Sequence, residues 1–339
     1  MGNANRTWKK AVVVIISLAL PIMVLNGVFT IVKGFNFDTY ISEYISSDFN
    51  ISGCTSNLQS SNLRAIPPEL TKQIESREEV KSVAVTYDYE TSYKMDAKGY
   101  DNINEMVNAA GKNDYISKAG IKNEKELLAT GEMPEHLMGI NEDAFNKMEF
   151  QDKKCSWEEF STGKYVIVGK QPQGLGNYYD VGDTVSLEGE NGSVKEYEVL
   201  SIGSEPNDLD YPFGAGTWFP YTFMLPDTEY LASGGDAKAL KIGIDVKKGT
   251  EEAFGKWLSE SVEKSGQSLY IESKLDIKEQ CRDFAGKYYM VLGLLCIVLF
   301  VIGIMNFYNT SSVSITTRRR ELSLLEAVGM TRKQLRQML

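Results

Sequence analysis

One histidine stands in 339 residues, with four cysteines, and both scarcities exclude chemistry. His136, beside Glu135 and ahead of an apolar stretch, supplies neither a triad nor a zinc cluster, so it reads as structural. Cys54, Cys155, Cys281 and Cys296 are too far apart for a stapled framework, although one bridge among the first three stays open. No GxxxxGK[ST] frame is present: Gly163-Lys164 and Gly169-Lys170 are followed by Tyr165 and Gln171. The GLGNYYD stretch has two glycines, no third at the dinucleotide-binding position and no helical pattern after it. Acidic pairs such as Glu78-Glu79, and Asp208 with Asp210, read as solvated surface. No catalytic residue, cofactor or metal is therefore expected on this chain.

Charge itself is missing in two places. Residues 11–32, AVVVIISLALPIMVLNGVFTIV, and the thirty residues 288–317, which open YYMVLGLLCIVLFVIGIMNF, carry none. About twenty helical residues cross a hydrocarbon core of about 30 Å, so both runs read as spans, with Pro21 as a kink in the first. A cleaved signal peptide is the rival for the first run, and a buried core helix for the second.

Lysine and arginine flanking a span stay on the cytoplasmic side. Arg6, Lys9 and Lys10 precede the first run, and six basic residues against two acidic ones follow the second. Between them, residues 33–287 hold 27 basic and 44 acidic residues, a net charge of −17. Both ends are thus expected inside and an acidic domain outside, which excludes nucleic acid as its partner.

Within that domain, Phe37, Tyr40, Ile41, Tyr44 and Ile45 recur at helical spacing, so a helix continues beyond the first span, and residues 275–284 lead into the second without a break. Two stalk helices follow, or two linkers. ELTKQIESREEV predicts a helix facing the core through Leu70, Ile74 and Val80, and SVAVTYDYET a strand. Residues 95–135 are polar and read as an inserted subdomain or lid with short helices. HLMGI, KYVIVGK, DTVSLEGENGSVKEYEVLSIG, TWFPYTFM and LKIGIDV read as strands, with a tight turn at Asn191-Gly192, and EEAFGKWLSESVEK as a helix. The fold class is α+β: a mixed α/β outer domain held between two transmembrane helices.

The tail, RRRELSLLEAVGMTRKQLRQML, is punctuated. Gly329 stands where a first helix ends in a left-handed residue, bringing Met330 back towards Leu325. Thr331 with Gln334 makes a capping box for a second helix, and Met330 can staple onto Leu335. The result is a short helix-turn-helix knob, with a basic helix lying on anionic lipid as the alternative.

The pattern Arg318-x-Arg320-Glu321-Leu322-x-x-Leu325-x-Ala327-x-Gly329-x-Thr331-x-x-Gln334-Leu335 resembles the signature of the FtsX-like permeases of ABC transporters. Glu326 and Met330 depart from it. LTKQIESREEVKSVAV, YVIVGK, VGDTVSL and KEYEVLSIG are similar, in order, to the MacB-type extracellular core. The resemblance implies a non-enzymatic permease subunit of the bacterial cell membrane. It would couple ATP hydrolysis by a separate ATP-binding subunit to movement of its outer domain, for export or extraction of a lipid, lipoprotein or peptide. Arg318, Arg320, Glu321, Leu322, Leu325, Gly329, Thr331, Gln334 and Leu335 would dock on that subunit. Further partners implied are a second permease copy or paralogue and membrane lipid. The expected boundaries are 1–10 cytoplasmic, 11–32 first span, 33–287 outer domain, 288–317 second span with its extension, and 318–339 coupling segment. Since the family has further spans after this motif, the chain reads as a fragment. A two-span sensor with an outer ligand-binding domain is the competing reading; it calls for a long heptad-patterned helix after the second span.

Overall fold

The computed structural model describes residues 45–53, 66–111, 118–151, 155–171, 176–206, 209, 221–331 and 334, with isolated helical positions between 8 and 42. The chain divides into two compact units, Asp38–Lys278 and Met1–Phe37 with Glu279–Leu339.

The larger unit is built on one mixed sheet. Its described strands are β1 (Phe49–Ser52), β2 (Val80–Lys94), β3 (Glu132–Ile140), β4 (Glu149–Phe150), β5 (Tyr165–Gly169), β6 (Thr184–Glu188), β7 (Val194–Ser204), β8 (Tyr221–Pro226), β9 (Lys241–Val246) and β10 (Tyr270–Ser273). Helices α1 (Pro68–Glu75), α2 (Ala97–Ala110), α3 (Lys118–Leu128), α4 (Glu142–Lys147), α5 (Trp157–Phe160), α6 (Asp227–Ala232) and α7 (Glu251–Lys264) lie between them, and α8 (Lys274–Ala327) follows β10. The order is β10-β1-β9-β2-β3-β8-β5-β7-β4, with β6 on β7. β3 pairs with β8, and β5 with β7, in parallel.

Strand β2 spans the sheet's two halves. Its first part, to Thr86, pairs with β9, and its second, from Thr86 to Lys94, with β3. In the first half, Leu70 and Ile74 of α1 and Phe254, Leu258 and Val262 of α7 cover Ile51, Val83, Val85, Ile242 and Ile244. In the second half, neighbouring residues serve opposite faces. Val166, Val168, Tyr221, Phe223 and Leu225 join a core with Ile103, Met106, Val107 and Leu128, whereas Ile167 and Met224 join Ala144, Phe145 and Phe160. Alternation across the pleat explains why every residue of β8 is buried.

One sequence expectation changes and another gains detail. The polar stretch read as an inserted subdomain or lid is neither: α2 and α3 bury their sparse apolar residues in the main core, so the segment is part of the fold's body. At the β6–β7 hairpin the paired ends are Glu188 and Val194. Gly192 has φ +76°, its amide donates to the Gly189 carbonyl, and the Gly189 amide bonds to Ser193. This is a three-residue loop with a left-handed glycine, so the tight turn expected at Asn191-Gly192 is present. Of TWFPYTFM, the structure describes the strand from Tyr221 onward; residues 217–220 lie outside the described residues.

Candidate functional site

The candidate site is built from the roots of the domain upward. β1 and β10 are antiparallel neighbours, with Phe49 opposite Ser273, so the chain enters and leaves the sheet side by side. The Lys274 amide donates to the Asp48 carbonyl at 2.9 Å, which closes that pairing where α8 begins.

Helix α8 runs without a break for 54 residues, about 80 Å at 1.5 Å per residue. Within it, Lys274–Val313 holds the one stretch among the described residues long and apolar enough to cross a bilayer, with mean hydropathy 2.7. Its apolar side chains are outside, not packed: Met290 is 76% exposed, Val291 66% and Leu294 64%. A core helix would hide such a surface; hydrocarbon solvates it. The first run, residues 11–32, falls largely outside the described residues, Pro21 included. Its described positions are helical, and Ile15, Leu20 and Phe29 among them are exposed.

Arg318, Arg320, Glu321 and Leu322 lie on the last turns of α8, and Leu325 is half-buried there. Beyond Ala327 the helix is closed by a turn. Gly329 takes φ +105°, its amide donates to the Glu326 carbonyl, and the Met330 amide reaches back to the Leu325 carbonyl at 3.1 Å. These are the two reverse bonds that satisfy a helix's last carbonyls around a left-handed glycine. The Thr331 amide donates to Gln334 Oε1 at 3.0 Å, and the Gln334 amide faces Thr331 Oγ1 at 3.5 Å, the reciprocal capping box. Gln334 is helical; Leu335 and the staple onto it lie outside the described residues. A capped break thus separates the end of α8 from the helical position at Gln334.

Elsewhere the domain offers structural polar groups. His136 is buried with Nδ1 3.2 Å from Asp88 Oδ1, while the Tyr230 hydroxyl donates to the Asp88 carbonyl, tying β2, β3 and α6. The Tyr178 hydroxyl donates to the Thr222 carbonyl and accepts from the Gly169 and Thr222 amides, making a core anchor of the glycine-containing loop. Lys195 bridges Glu229 Oε1 and the Gly163 carbonyl at the mouth of a cleft of about 300 Å³ under the β6–β7 hairpin. Among the described residues no group of three or more His, Cys, Asp or Glu side chains is placed to hold a metal. Cys155, Cys281 and Cys296 are free thiols; Cys54 lies outside the described residues.

The α+β domain is thus followed, directly after β10, by a helix long and apolar enough to cross a bilayer. Residues 293–339 match the family described as FtsX-like permease C-terminal, the family whose pattern the tail resembles. No curated protein sequence matches the chain. Among solved structures, the periplasmic region of MacB from Actinobacillus actinomycetemcomitans aligns over 71% of this chain and 95% of its own, with TM-score 0.45 and 12% identity. The extracellular domain of the noncanonic ABC-type transporter YknZ from Gram-positive bacteria aligns over 67% and 100%, with TM-score 0.39 and 12% identity.

Proposed function

We propose that the chain is a permease subunit of an ABC transporter, whose segment from Arg318 to Leu335 docks on a separate ATP-binding subunit. Movement of that subunit is carried along α8 to the outer domain, which expels or extracts a lipid, lipoprotein or peptide. The proposal includes both termini in the cytoplasm, residues 11–32 as a first span and residues 33–287 outside. It also includes pairing with a second copy or a paralogue, and lipid around the spans. The chain needs no catalytic group of its own in this reading, because the chemistry belongs to the ATP-binding subunit.

One observation carries the proposal. The family match over residues 293–339 coincides with the end of an unbroken helix that begins at the sheet and finishes in a doubly capped turn. A helix transmits axial and tilting displacement because every internal backbone group is bonded within it, and a capped turn fixes where its end points. The neighbouring entry and exit of the sheet and the basic flanks of both apolar runs support an outer domain hung from one membrane face.

The test is joint replacement of Glu321 and Gly329 in the full chain, followed by co-purification with its ATP-binding subunit and assay of coupled ATP hydrolysis. Loss of both is expected. Intact assembly and coupling would remove the docking assignment.

A further inference from the structure

The roots of the outer domain converge on a polar cluster that the helix and its tail do not explain. Asp48, the residue before β1, uses three groups. Its amide donates to Asp245 Oδ1 at 3.2 Å, its Oδ2 accepts from the Val246 amide at 3.0 Å, and its carbonyl accepts from Lys274, the first residue of α8. Asp245 on β9 also accepts from Ser82 Oγ of β2 at 3.0 Å and pairs with Lys147 Nζ at 2.8 Å. Lys147 in turn donates to Ser47 Oγ at 2.6 Å, and Ser47 is fully buried.

Lys147 is itself held on a fixed support. It closes α4, whose cap residue Asn141 accepts from the Ala144 and Val85 amides and donates to the Val83 carbonyl. Asp143 in the same helix accepts from the Val83 amide at 2.8 Å. The helix is thereby stitched to β2 at the middle of the sheet. The Lys147 and Asp245 side chains are 15% and 29% exposed, so their attraction is less screened than that of a surface pair. Burial alone would raise the Asp245 carboxyl; the Lys147 ammonium and the Ser82 and Asp48 donors outweigh it and hold it below the usual aspartate range.

We propose that Lys147, Asp245 and Asp48 form a mechanical joint that gathers both roots of the outer domain onto one residue and passes their displacement into the centre of the sheet. This rests on the coupling reading above and makes these three positioning residues within it. A pull on either root loads Asp48, through its amide on the strand side or its carbonyl on the α8 side. From there the load reaches β9 through Asp245, and β2 through Ser82 and through Lys147 on α4. Without the ammonium, the Asp245 carboxylate keeps its Ser82 and Asp48 bonds but loses its tie to α4, so the roots can shift while the sheet stays.

The experiment uses the full chain with its ATP-binding subunit in lipid nanodiscs, with nitroxide labels on Glu196→Cys of β7 and Arg282→Cys of α8, both exposed, and serine at the native cysteines. Interlabel distances are measured with and without ATP and vanadate. A nucleotide-dependent shift is expected in the parent, its loss in Lys147→Met with subunit binding retained, and its return in the charge-reversed pair Lys147→Asp with Asp245→Lys. Should Lys147→Met fail to fold, Asp245→Asn carries the same expectation at nearly unchanged shape. A full shift in the folded single variant overturns the joint. Absence of any shift in the parent overturns the coupling reading itself, which separates the two failures.

Discussion

Replacing Gly329 by alanine isolates the turn from everything around it. A Cβ at this position would meet nothing within 4 Å, so the substitution adds no clash. Its cost is confined to the backbone, because φ is +105° and an L side chain is strained there by about 1 to 3 kcal/mol. Opposing that cost are two reverse backbone bonds, each worth about 1 kcal/mol net, and a capping box worth about 1 kcal/mol. The penalty is therefore of the same size as what holds the turn. Alanine also favours continuing the helix through residue 329 by about 1 kcal/mol relative to glycine. If the turned form alone docks, apparent affinity for the ATP-binding subunit falls by the same factor as the turn's population, roughly 5- to 150-fold. Gly329→Asn loses less, since asparagine tolerates the left-handed region. Titrating the solubilised full chain against the ATP-binding subunit, with far-ultraviolet circular dichroism as a control, reads this directly. Binding of Gly329→Ala within twofold of the parent refutes the turn as a docking element.

Three further outcomes follow from the outer domain. Gly139→Ala places a Cβ 2.6 Å from Cγ of the fully buried Tyr230 ring, so it costs about 1 to 3 kcal/mol; calorimetry of the full chain should show the domain's transition falling by several degrees, and an unchanged midpoint refutes the packing. Asp245, whose pKa is lowered in the fold, contributes stability that is present above the unfolded aspartate value near 3.9 and is lost as pH falls through its folded value. Asp245→Asn should accordingly be less stable than the parent at pH 7, with the gap closing below about pH 4 in urea melts; a gap independent of pH contradicts the ion pair. Ile277, Cys281, Phe284 and Tyr288 recur at spacings of four, three and four near the start of α8, and the Phe284 and Tyr288 rings lie 4.6 Å apart, both exposed. If a second copy pairs along this stripe, mild oxidation in membranes should link Cys281 to its counterpart and give a band at twice the chain's mass; absence of that band moves the interface elsewhere.

The sequence disclosed periodicity far better than partnership. Leu70 and Ile74, or Phe254, Leu258 and Val262, announce helices with one buried side, and both helices form, although the first ends at Glu75 and Val80 opens β2 instead of extending it. The turn at Gly329 was equally legible, since its chemistry is contained within six consecutive residues. What stayed hidden depends on distance along the chain. Pairing of β1 with β9 and β10 joins residues about two hundred positions apart, and no local pattern encodes it. The helices over residues 97–110 and 118–128 were taken for an inserted subdomain or lid because polar residues dilute their apolar faces, although Ile103, Met106 and Val107 keep the helical spacing. Tyr178 and Tyr179 looked like loop residues and are fully buried, because their role is fixed by strands that come earlier and later. Lys147, Asp245 and Asp48 gave no signal at all: each is an ordinary charged residue until the sheet brings them together. The partner-docking role assigned to Arg318, Arg320, Glu321 and Leu322 comes from the family pattern.

Sidedness bears most directly on a lever that must be gripped inside the cell to move a domain outside it. Single cysteines at Glu196 of the outer sheet and at Lys333 in the tail, on a background with serine at the native cysteines, are exposed to a membrane-impermeant maleimide in intact cells and again after permeabilisation. Glu196→Cys should label in both conditions and Lys333→Cys after permeabilisation alone. Labelling of both positions in intact cells would leave the capped turn with no ATP-binding subunit to meet, and coupling through α8 would be excluded.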